Sequence, residues 1–189
     1  MEVFAERGYQ EASMTEIAAA AGITPGLIYN HFASKAELQI ELLERNTDEL
    51  LAFVAAAVGA APDDSAQRLR VGVDAFFAFV EQHTYAWRII FRDPPTDPAV
   101  AAAYRKLGER ATQAIALFIQ TSAPRALIDV PDAAQRIEMF AQLLKTAQNG
   151  LAYWWYEHRH ISREVIVDRV LEFCWLGLER VAHGERIDP

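Results

Sequence analysis

Three observations on the sequence predict an all-α fold. Almost every segment repeats its apolar residues with helical spacing, and no alternating apolar and polar run between turn residues suggests a hairpin. Two capping boxes also mark helix starts close together, at Ser13-Met14-Thr15-Glu16 and Ser34-Lys35-Ala36-Glu37. We predict a domain of three short helices over residues 1–46 and a larger helical domain over residues 47–189.

The first three predicted helices are short and closely spaced. Gly8 ends an opening helix over residues 1–7. The first capping box begins a helix over 14–21, and Gly22 lies where that helix needs a left-handed residue after its last turn. Thr24 and Pro25 then supply an N-cap and a proline at the first helical position, which predicts a third helix over 25–32.

A long fourth helix is predicted from Lys35, because apolar residues continue with helical spacing for about six turns. The stretch Gly59-Ala60-Ala61-Pro62-Asp63-Asp64 interrupts this pattern. The helix would join the first domain to the second. Further helices are predicted over 65–82, 85–91, 98–121, 132–158 and 163–183, with Asp97 as the N-cap of the third of these.

The last two predicted helices carry apolar residues on more than one stripe. A helix that is apolar over so much of its circumference is expected to be buried on two sides. One side would pack within the domain and the other against a second copy of the chain. The residues predicted at this dimer interface are Leu143, Trp155, Val167, Leu171, Cys174 and Leu178.

Composition limits the classes of protein to which the chain can belong. Its 189 residues, 52% of them hydrophobic, can bury a substantial core. Cys174 is the single cysteine, which excludes an internal disulfide framework and favours a reducing compartment. The sequence lacks an apolar run as long as a membrane span, and its start lacks the cationic region of a signal peptide. We therefore expect a cytoplasmic protein.

Overall charge argues against general affinity for nucleic acid. The formal net charge is -8, whereas non-specific binding to DNA depends on Lys and Arg. Residues 1–46 hold three cationic residues and seven glutamates, a net charge of -4. A hypothesis of DNA binding therefore depends on a local motif.

Residues 13–35 contain such a motif, since they have the spacing of a helix-turn-helix whose second helix enters the major groove. Apolar side chains such as Ile17, Ile28 and Phe32 would hold its two helices together. The remaining side chains would point outward or toward a bound molecule: Thr15, Thr24, Pro25, Gly26, Leu27, Tyr29, Asn30 and His31.

A family resemblance is carried by the stretches Phe4-Ala5-Glu6-Arg7-Gly8-Tyr9, Met14-Thr15-Glu16-Ile17-Ala18, Ala21-Gly22-Ile23 and Tyr29-Asn30-His31-Phe32, followed by Lys35. These residues resemble the DNA-binding head of the TetR family of ligand-responsive transcriptional repressors, and the resemblance covers about the first 45 residues. It implies a homodimer that binds a palindromic operator and leaves it when a small molecule enters the second domain.

The resemblance also implies roles for single residues. Tyr29 and His31 would contact phosphates, Thr15 would reach the DNA backbone, and Lys35 would bind a phosphate. The last role has a physical basis of its own, because the start of a helix offers free amides and a partial positive charge.

Base recognition is expected to rely on methyl contacts and DNA shape, because the second helix of the motif contains no Arg or Gln. Asn30 can pair with adenine, Leu27 and the methyl group of Thr24 can contact thymine methyl groups, and Gly26 allows close approach of the backbone. The short first helix and the absence of a basic arm suggest that Met1 is an internal methionine of a longer natural chain.

Aromatic residues in the second domain are numerous enough to line an apolar cavity for a small hydrophobic ligand. Each of them also suits a plain core, so the cavity rests mainly on the resemblance. The predicted pocket residues are Phe76, Phe79, Trp87, Phe91, Tyr104, Phe118 and Trp154.

Other classes of function have weaker support. The sequence contains no nucleophile elbow, phosphate loop or dinucleotide fingerprint, and we predict neither an enzyme nor a cofactor. His158 and His160 are two positions apart and do not share a helix face, which disfavours a metal site. An enzyme or carrier that uses the helical cavity is the weaker alternative. The other alternative is a dimeric ligand sensor that no longer binds DNA, which the net negative charge of residues 1–46 favours.

Overall fold

The structure, a computed structural model, describes residues 1–91, 96–122 and 131–182, with the backbone alone for 174–182. These residues form helices and no strand, which confirms the all-α prediction. None of the helices in this part of the chain is long and apolar enough to cross a membrane. The helices are α1 (Glu2–Glu11), α2 (Met14–Ala20), α3 (Pro25–His31), α4 (Lys35–Gly59), α5 (Ser65–Gln82), α6 (Thr84–Phe91), α7 (Pro98–Ser122), α8 (Ala133–Glu157) and α9 (Arg163–Ala182).

Side-chain caps begin several of these helices, as the sequence predicts. The first capping box is complete, because Glu16 N donates to Ser13 Oγ at 3.2 Å and Ser13 N donates to Glu16 Oε2 at 3.1 Å. Thr24 caps α3 by accepting from Leu27 N at 3.3 Å. In the second box Glu37 N donates to Ser34 Oγ at 3.1 Å as predicted, but the Glu37 carboxylate accepts from Ala33 N at 2.6 Å, one residue before the predicted donor.

Gly8 ends the first stretch of helix in α1, which confirms the predicted break after residue 7, although a short further turn extends α1 to Glu11. Its φ of 77° and ψ of 174° interrupt the helical conformation, and only glycine adopts such angles readily. Helical hydrogen bonding then resumes, since Ala12 N donates to Gly8 O at 3.2 Å. The predicted left-handed residue after α2 is confirmed, with a φ of 69° at Gly22.

The chain divides into two compact units that are not continuous in sequence. Unit 1 consists of Met1–Leu50 and Phe79–Glu109, and unit 2 consists of Leu51–Ala78 and Arg110–Pro189. Helix α6 and the first half of α7 therefore belong with the N-terminal helices. The division into a domain over residues 1–46 and a domain over residues 47–189 stays a prediction.

The core of unit 1 joins the N-terminal helices to α6 and α7. Buried residues of α1 to α4 form one apolar cluster with three residues from the later helices, Ile89, Val100 and Leu107. Burial of apolar surface is the main favourable term in folding, so the first three helices depend on this wider cluster for stability. The N-terminal members of the cluster include Phe4, Ala5, Ile17, Ala18, Ile28, Leu38 and Leu43.

The core of unit 2 is built around α8, which packs against α9. The rings of Phe77 and Trp155 meet edge to face with their centroids 5.8 Å apart. Arg163 Nε donates to Asp74 Oδ1 at 2.9 Å, so that the first residue of α9 is held to α5. An aromatic contact and an ion pair thus join α5 to α8 and to α9 within unit 2.

Candidate nucleic-acid interface

Helices α2 and α3 pack against each other as the helix-turn-helix interpretation requires. Ile17 and Ala18 of α2 and Ile28 of α3 are buried between them. In the turn, Gly22 takes the left-handed conformation and Ile23 N donates to Ala18 O at 3.0 Å. The hydrogen-bonded turn and the shared apolar contact fix the direction in which α3 leaves α2.

The outer face of α3 is almost entirely open to solvent. Ile28 is the one buried residue of this helix, whereas Leu27 is 43% exposed and Tyr29 is 53% exposed. A Cβ atom added at Gly26 would meet nothing within 4 Å, so no internal contact requires glycine there. All the outward residues of the motif are exposed: Thr15, Thr24, Pro25, Gly26, Leu27, Tyr29, Asn30 and His31.

The electrostatic character of this face is set by hydrogen-bonding groups more than by cations. Arg7 Nη1 pairs with Glu16 Oε1 at the start of α2. Hydrogen bonds from the hydroxyl and amide of Ser13, together with nearby Arg7, hold the pKa of the Glu16 carboxyl below its ordinary value. Glu16 is therefore ionised at neutral pH and offsets the charge of Arg7 beside the motif.

Lys35 lies at the first position of α4, and its side chain is half-buried. Its ammonium group donates to Ala12 O at 2.9 Å and to Gln10 O at 3.3 Å, and lies 4.6 Å from the ring centroid of Tyr9. An ammonium group has three donors, and these two bonds cap carbonyl groups at the end of α1. Contact between Lys35 and a DNA phosphate stays a prediction, which would use the remaining donor.

Polar side chains on the inner face of α4 were missed by the sequence analysis. Gln39, Asn46 and Thr47 are buried, at positions seven and eight residues apart that share one side of a helix. Gln39 Nε2 lies 3.5 Å from the Tyr104 hydroxyl, which donates to Ile89 O at 2.6 Å. Within the described residues, Gln39 Oε1 and Thr47 Oγ1 are buried without a hydrogen-bond partner. The sequence did contain a signal for this buried polar row, since polar residues recur there among apolar neighbours at helical spacing.

The predicted pocket residues are divided between the two units. Phe79 and Trp87 are buried in unit 1, where Phe91 and Tyr104 are half-buried, and unit 2 contains Phe76 and Phe118. A shared ligand cavity therefore stays a prediction. The prediction that Trp154 lines a pocket needs correction. Its side chain is 44% exposed and stacks on the ring of His158 with centroids 4.0 Å apart.

The predicted dimer interface also needs correction. Trp155 and Val167 are each 1% exposed within the single chain, so both are core residues and their side chains cannot form an outer face. Leu143 is 63% exposed and Leu171 is half-buried. The side chains of Cys174 and Leu178 lie outside the described residues.

An exposed apolar stripe on α8 includes Leu143, which was predicted at the dimer interface, together with Met139 and Trp154, which were not. Met139 and Leu143 are four residues apart and exposed, and Gly150 and Trp154 continue the same face of the helix. A Cβ at Gly150 would meet nothing within 4 Å, so another helix could approach closely there. Large exposed apolar groups in a row commonly mark an interaction surface.

Comparisons with known proteins agree with this geometry. Residues 1–42 match the family model for bacterial regulatory proteins of the tetR family, and residues 65–177 match a tetracyclin repressor-like C-terminal domain. The HTH-type transcriptional activator FasR of Mycolicibacterium smegmatis is 36% identical over 182 residues, which cover 95% of this chain and 80% of that protein. The HTH-type transcriptional repressor KstR2 of Mycobacterium tuberculosis is 37% identical over 91 residues, which cover 48% of this chain and 44% of that protein.

Solved structures show the same fold at lower identity. A TetR-like transcriptional regulator from Rhodococcus sp. RHA1 has a TM-score of 0.75 at 24% identity, with 94% of this chain and 90% of that chain covered. AibR in complex with isovaleryl coenzyme A and operator DNA has a TM-score of 0.67 at 20% identity, with 90% and 91% covered.

Proposed function

The chain belongs to the TetR family of bacterial regulatory proteins, which are DNA-binding transcription regulators and not enzymes, and we propose that it is a homodimeric repressor with a palindromic operator. A small apolar ligand would release it from that operator. The observation that carries the proposal is the exposed face of α3, held outward by the buried contact between α2 and α3.

In this proposal α3 enters the major groove and reads bases with few charges. The Asn30 side chain donates to and accepts from the edge of an adenine, while Leu27 and the methyl group of Thr24 contact thymine methyl groups. Tyr29 and His31 donate to phosphates on either side. Gly26, which no internal contact constrains, lets the backbone come close to the DNA.

A second copy of the chain would pack on the exposed stripe of α8. Met139, Leu143 and Trp154 supply apolar area on one face, and Gly150 between them allows close helix packing. A twofold axis through such a stripe pairs like with like. The two copies of α3 would then lie about 34–36 Å apart, or a multiple of that distance, to match one face of B-DNA.

The part of the ligand that the protein encloses would be apolar, as a fatty acyl chain is, since aromatic residues dominate the predicted lining. Fatty acyl thioesters of coenzyme A are the first probes to test, because AibR was solved with isovaleryl coenzyme A and another structure of this fold is a fatty acid degradation regulator FadR from Bacillus halodurans. Binding of ligand and operator must be reciprocal, so each would weaken the other by the same factor.

The proposal is tested by selecting duplexes from a random pool on the purified protein. Enrichment of a palindrome that binds the wild type, with binding lost in Tyr29→Ala, is expected. Tyr156→Phe, a change on α8 far along the chain, is the control and should bind as the wild type does. If no sequence is enriched, the repressor is excluded and a ligand sensor without DNA binding is favoured.

Activation is a second candidate, which the 36% identity to the activator FasR favours. A single DNA-binding protein can repress or activate according to where its site lies relative to a promoter. Transcription in vitro from a promoter that carries the selected site decides between them. Repression requires that added protein lowers transcript yield and that an effective ligand restores it, whereas activation requires a rise.

A further inference from the structure

Tyr9 contacts two other helices from the last turn of α1. Its hydroxyl donates to Asp97 Oδ2 at 2.9 Å, immediately before α7. The face of its ring lies 4.6 Å from the ammonium nitrogen of Lys35, the first residue of α4. One side chain therefore connects α1 with the starts of α4 and α7, all within unit 1.

Asp97 serves two purposes with its two oxygens. Oδ1 accepts from Ala99 N at 3.0 Å and from Val100 N at 3.2 Å, which caps α7. Oδ2 accepts from Tyr9, and next to this bond Gln10 Nε2 donates to Thr96 Oγ1 at 2.8 Å. The segment that begins α7 is thus fastened to the end of α1.

The end of α1 leads directly into the DNA-binding motif. Ala12, whose carbonyl accepts from Lys35, is followed by Ser13, the N-cap of α2. Because α2 packs on α3, the way in which the end of α1 is held contributes to the direction of α3. Tyr9, Lys35 and Asp97 together make this attachment.

The protonation states of Tyr9 and Asp97 strengthen the hydrogen bond between them. Burial and the hydrogen bond to Asp97 raise the pKa of Tyr9 to about 12. The hydrogen bond from Tyr9, the amides of Val100 and Ala99 and the positive charge of Lys35 hold the pKa of Asp97 below its ordinary value. At neutral pH a neutral phenol therefore donates to an ionised carboxylate, which gives a charge-assisted bond.

We propose that Tyr9 and Asp97 are a positioning pair for operator binding, which fixes the direction of α2 and α3 and so sets the half-site spacing that the dimer accepts. The inference rests on the proposed palindromic operator. Neither side chain needs to touch DNA, since each acts through the end of α1. Loss of the bond would let the motif turn, which weakens binding at the correct spacing and lowers the penalty at incorrect spacings.

Two substitutions remove the bond in different ways. Tyr9→Phe removes only the hydroxyl and keeps the ring near Lys35. Asp97→Ser keeps an oxygen that can cap α7, because serine is as good an N-cap as aspartate, and it removes the carboxylate. Tyr156→Phe removes the same atom from a tyrosine of unit 2 and is the matched control.

The measurement is the dissociation constant for the selected palindrome and for two copies whose central spacer is one base pair longer or shorter. The wild type should bind both altered duplexes more weakly. Each substitution should lower the ratio of altered to correct dissociation constants at least about threefold, and the double variant should match the stronger single one, because partners in one hydrogen bond are not additive. Tyr156→Phe should keep the wild-type ratio.

A purely structural role predicts a different result. If the two variants melt at a lower temperature, or bind every duplex more weakly, yet keep the wild-type ratio, the inference is overturned. Because Asp97→Ser retains the cap, it decides the question should Tyr9→Phe fold poorly. A wild type that binds the selected site with no preference for spacing would overturn the palindromic dimer, and the positioning pair with it.

Discussion

Helices α3 and α8 both expose large side chains, but they do so with different chemistry. On α3, apolar Leu27 lies beside the hydrogen-bonding side chains of Tyr29, Asn30 and His31. On α8, the exposed stripe holds the large apolar side chains of Met139, Leu143 and Trp154 with Thr146 among them, and a buried face lies opposite. A surface that mixes donors, acceptors and methyl groups suits the edges of base pairs, whereas a stripe of mainly large apolar side chains suits another protein surface.

The largest contrast is expected between the two adjacent tryptophans of α8. Trp155→Ala should lower the free energy of unfolding by about 3–5 kcal/mol, because it empties the space against Phe77. Trp154→Ala should cost much less, since its side chain is half in solvent. Urea denaturation at one protein concentration measures both. Equal losses would contradict the assignment of the two faces.

Adding charge to the stripe tests its role as an interface between copies. Leu143→Glu should raise the dimer dissociation constant at least about tenfold, because two carboxylates would be desolvated near the twofold axis. Sedimentation equilibrium measures the change. Leu117→Glu is the control, since Leu117 is equally exposed but lies on α7. If the two variants dissociate alike, the stripe is not the interface.

Replacing Asn30, the one residue of α3 with a side-chain amide, tests whether this helix contacts bases. Asn30→Ala should cost about 1–3 kcal/mol of operator binding, the range for one bidentate contact with a base. The loss should vanish at an operator in which the contacted A·T pair is replaced by G·C. Gln113→Ala, an exposed amide on α7, should leave affinity unchanged. Equal weakening on both operators would mean that Asn30 contacts no base.

The smallest effect is expected at alkaline pH in unit 1. The raised pKa of Tyr9 means that its contribution to stability is complete below about pH 10 and is lost as the pH rises toward about 12. Tyr9→Phe lacks this loss, so its stability should approach that of the wild type over that range. Urea midpoints at half-unit steps of pH measure the difference. A constant difference would mean that Tyr9 ionises at its ordinary pKa of 10.0.

The contrast between α3 and α8 also explains what could be predicted from sequence. Helix α3 has seven residues and one buried side chain, so a proline, a cap and one apolar contact determine its outer face. Helix α8 carries apolar residues on several sides, and Trp154 and Trp155 differ by about 100° around the axis. Only the tertiary contacts choose between them: Trp155 packs on Phe77 and its indole N–H donates to Ile161 O at 2.8 Å.

Interactions between helices distant in sequence were beyond the sequence analysis for the same reason. The ammonium group of Lys35 caps carbonyls from α1, and Tyr9 reaches Asp97 across 88 positions. The sequence predicts each partner separately, as a helix start or an N-cap. Their pairing depends on the packing of α1 against α6, which no local pattern encodes.

The absence of Lys and Arg from α3 has a consequence for how such a regulator would find its site in a cell. Proteins that neutralise many phosphates release many counterions, and they spend most of their time on unrelated chromosomal DNA. Because α3 itself supplies no such contact, we expect this helix to add little to the dependence of affinity on salt concentration and little to binding at unrelated chromosomal DNA.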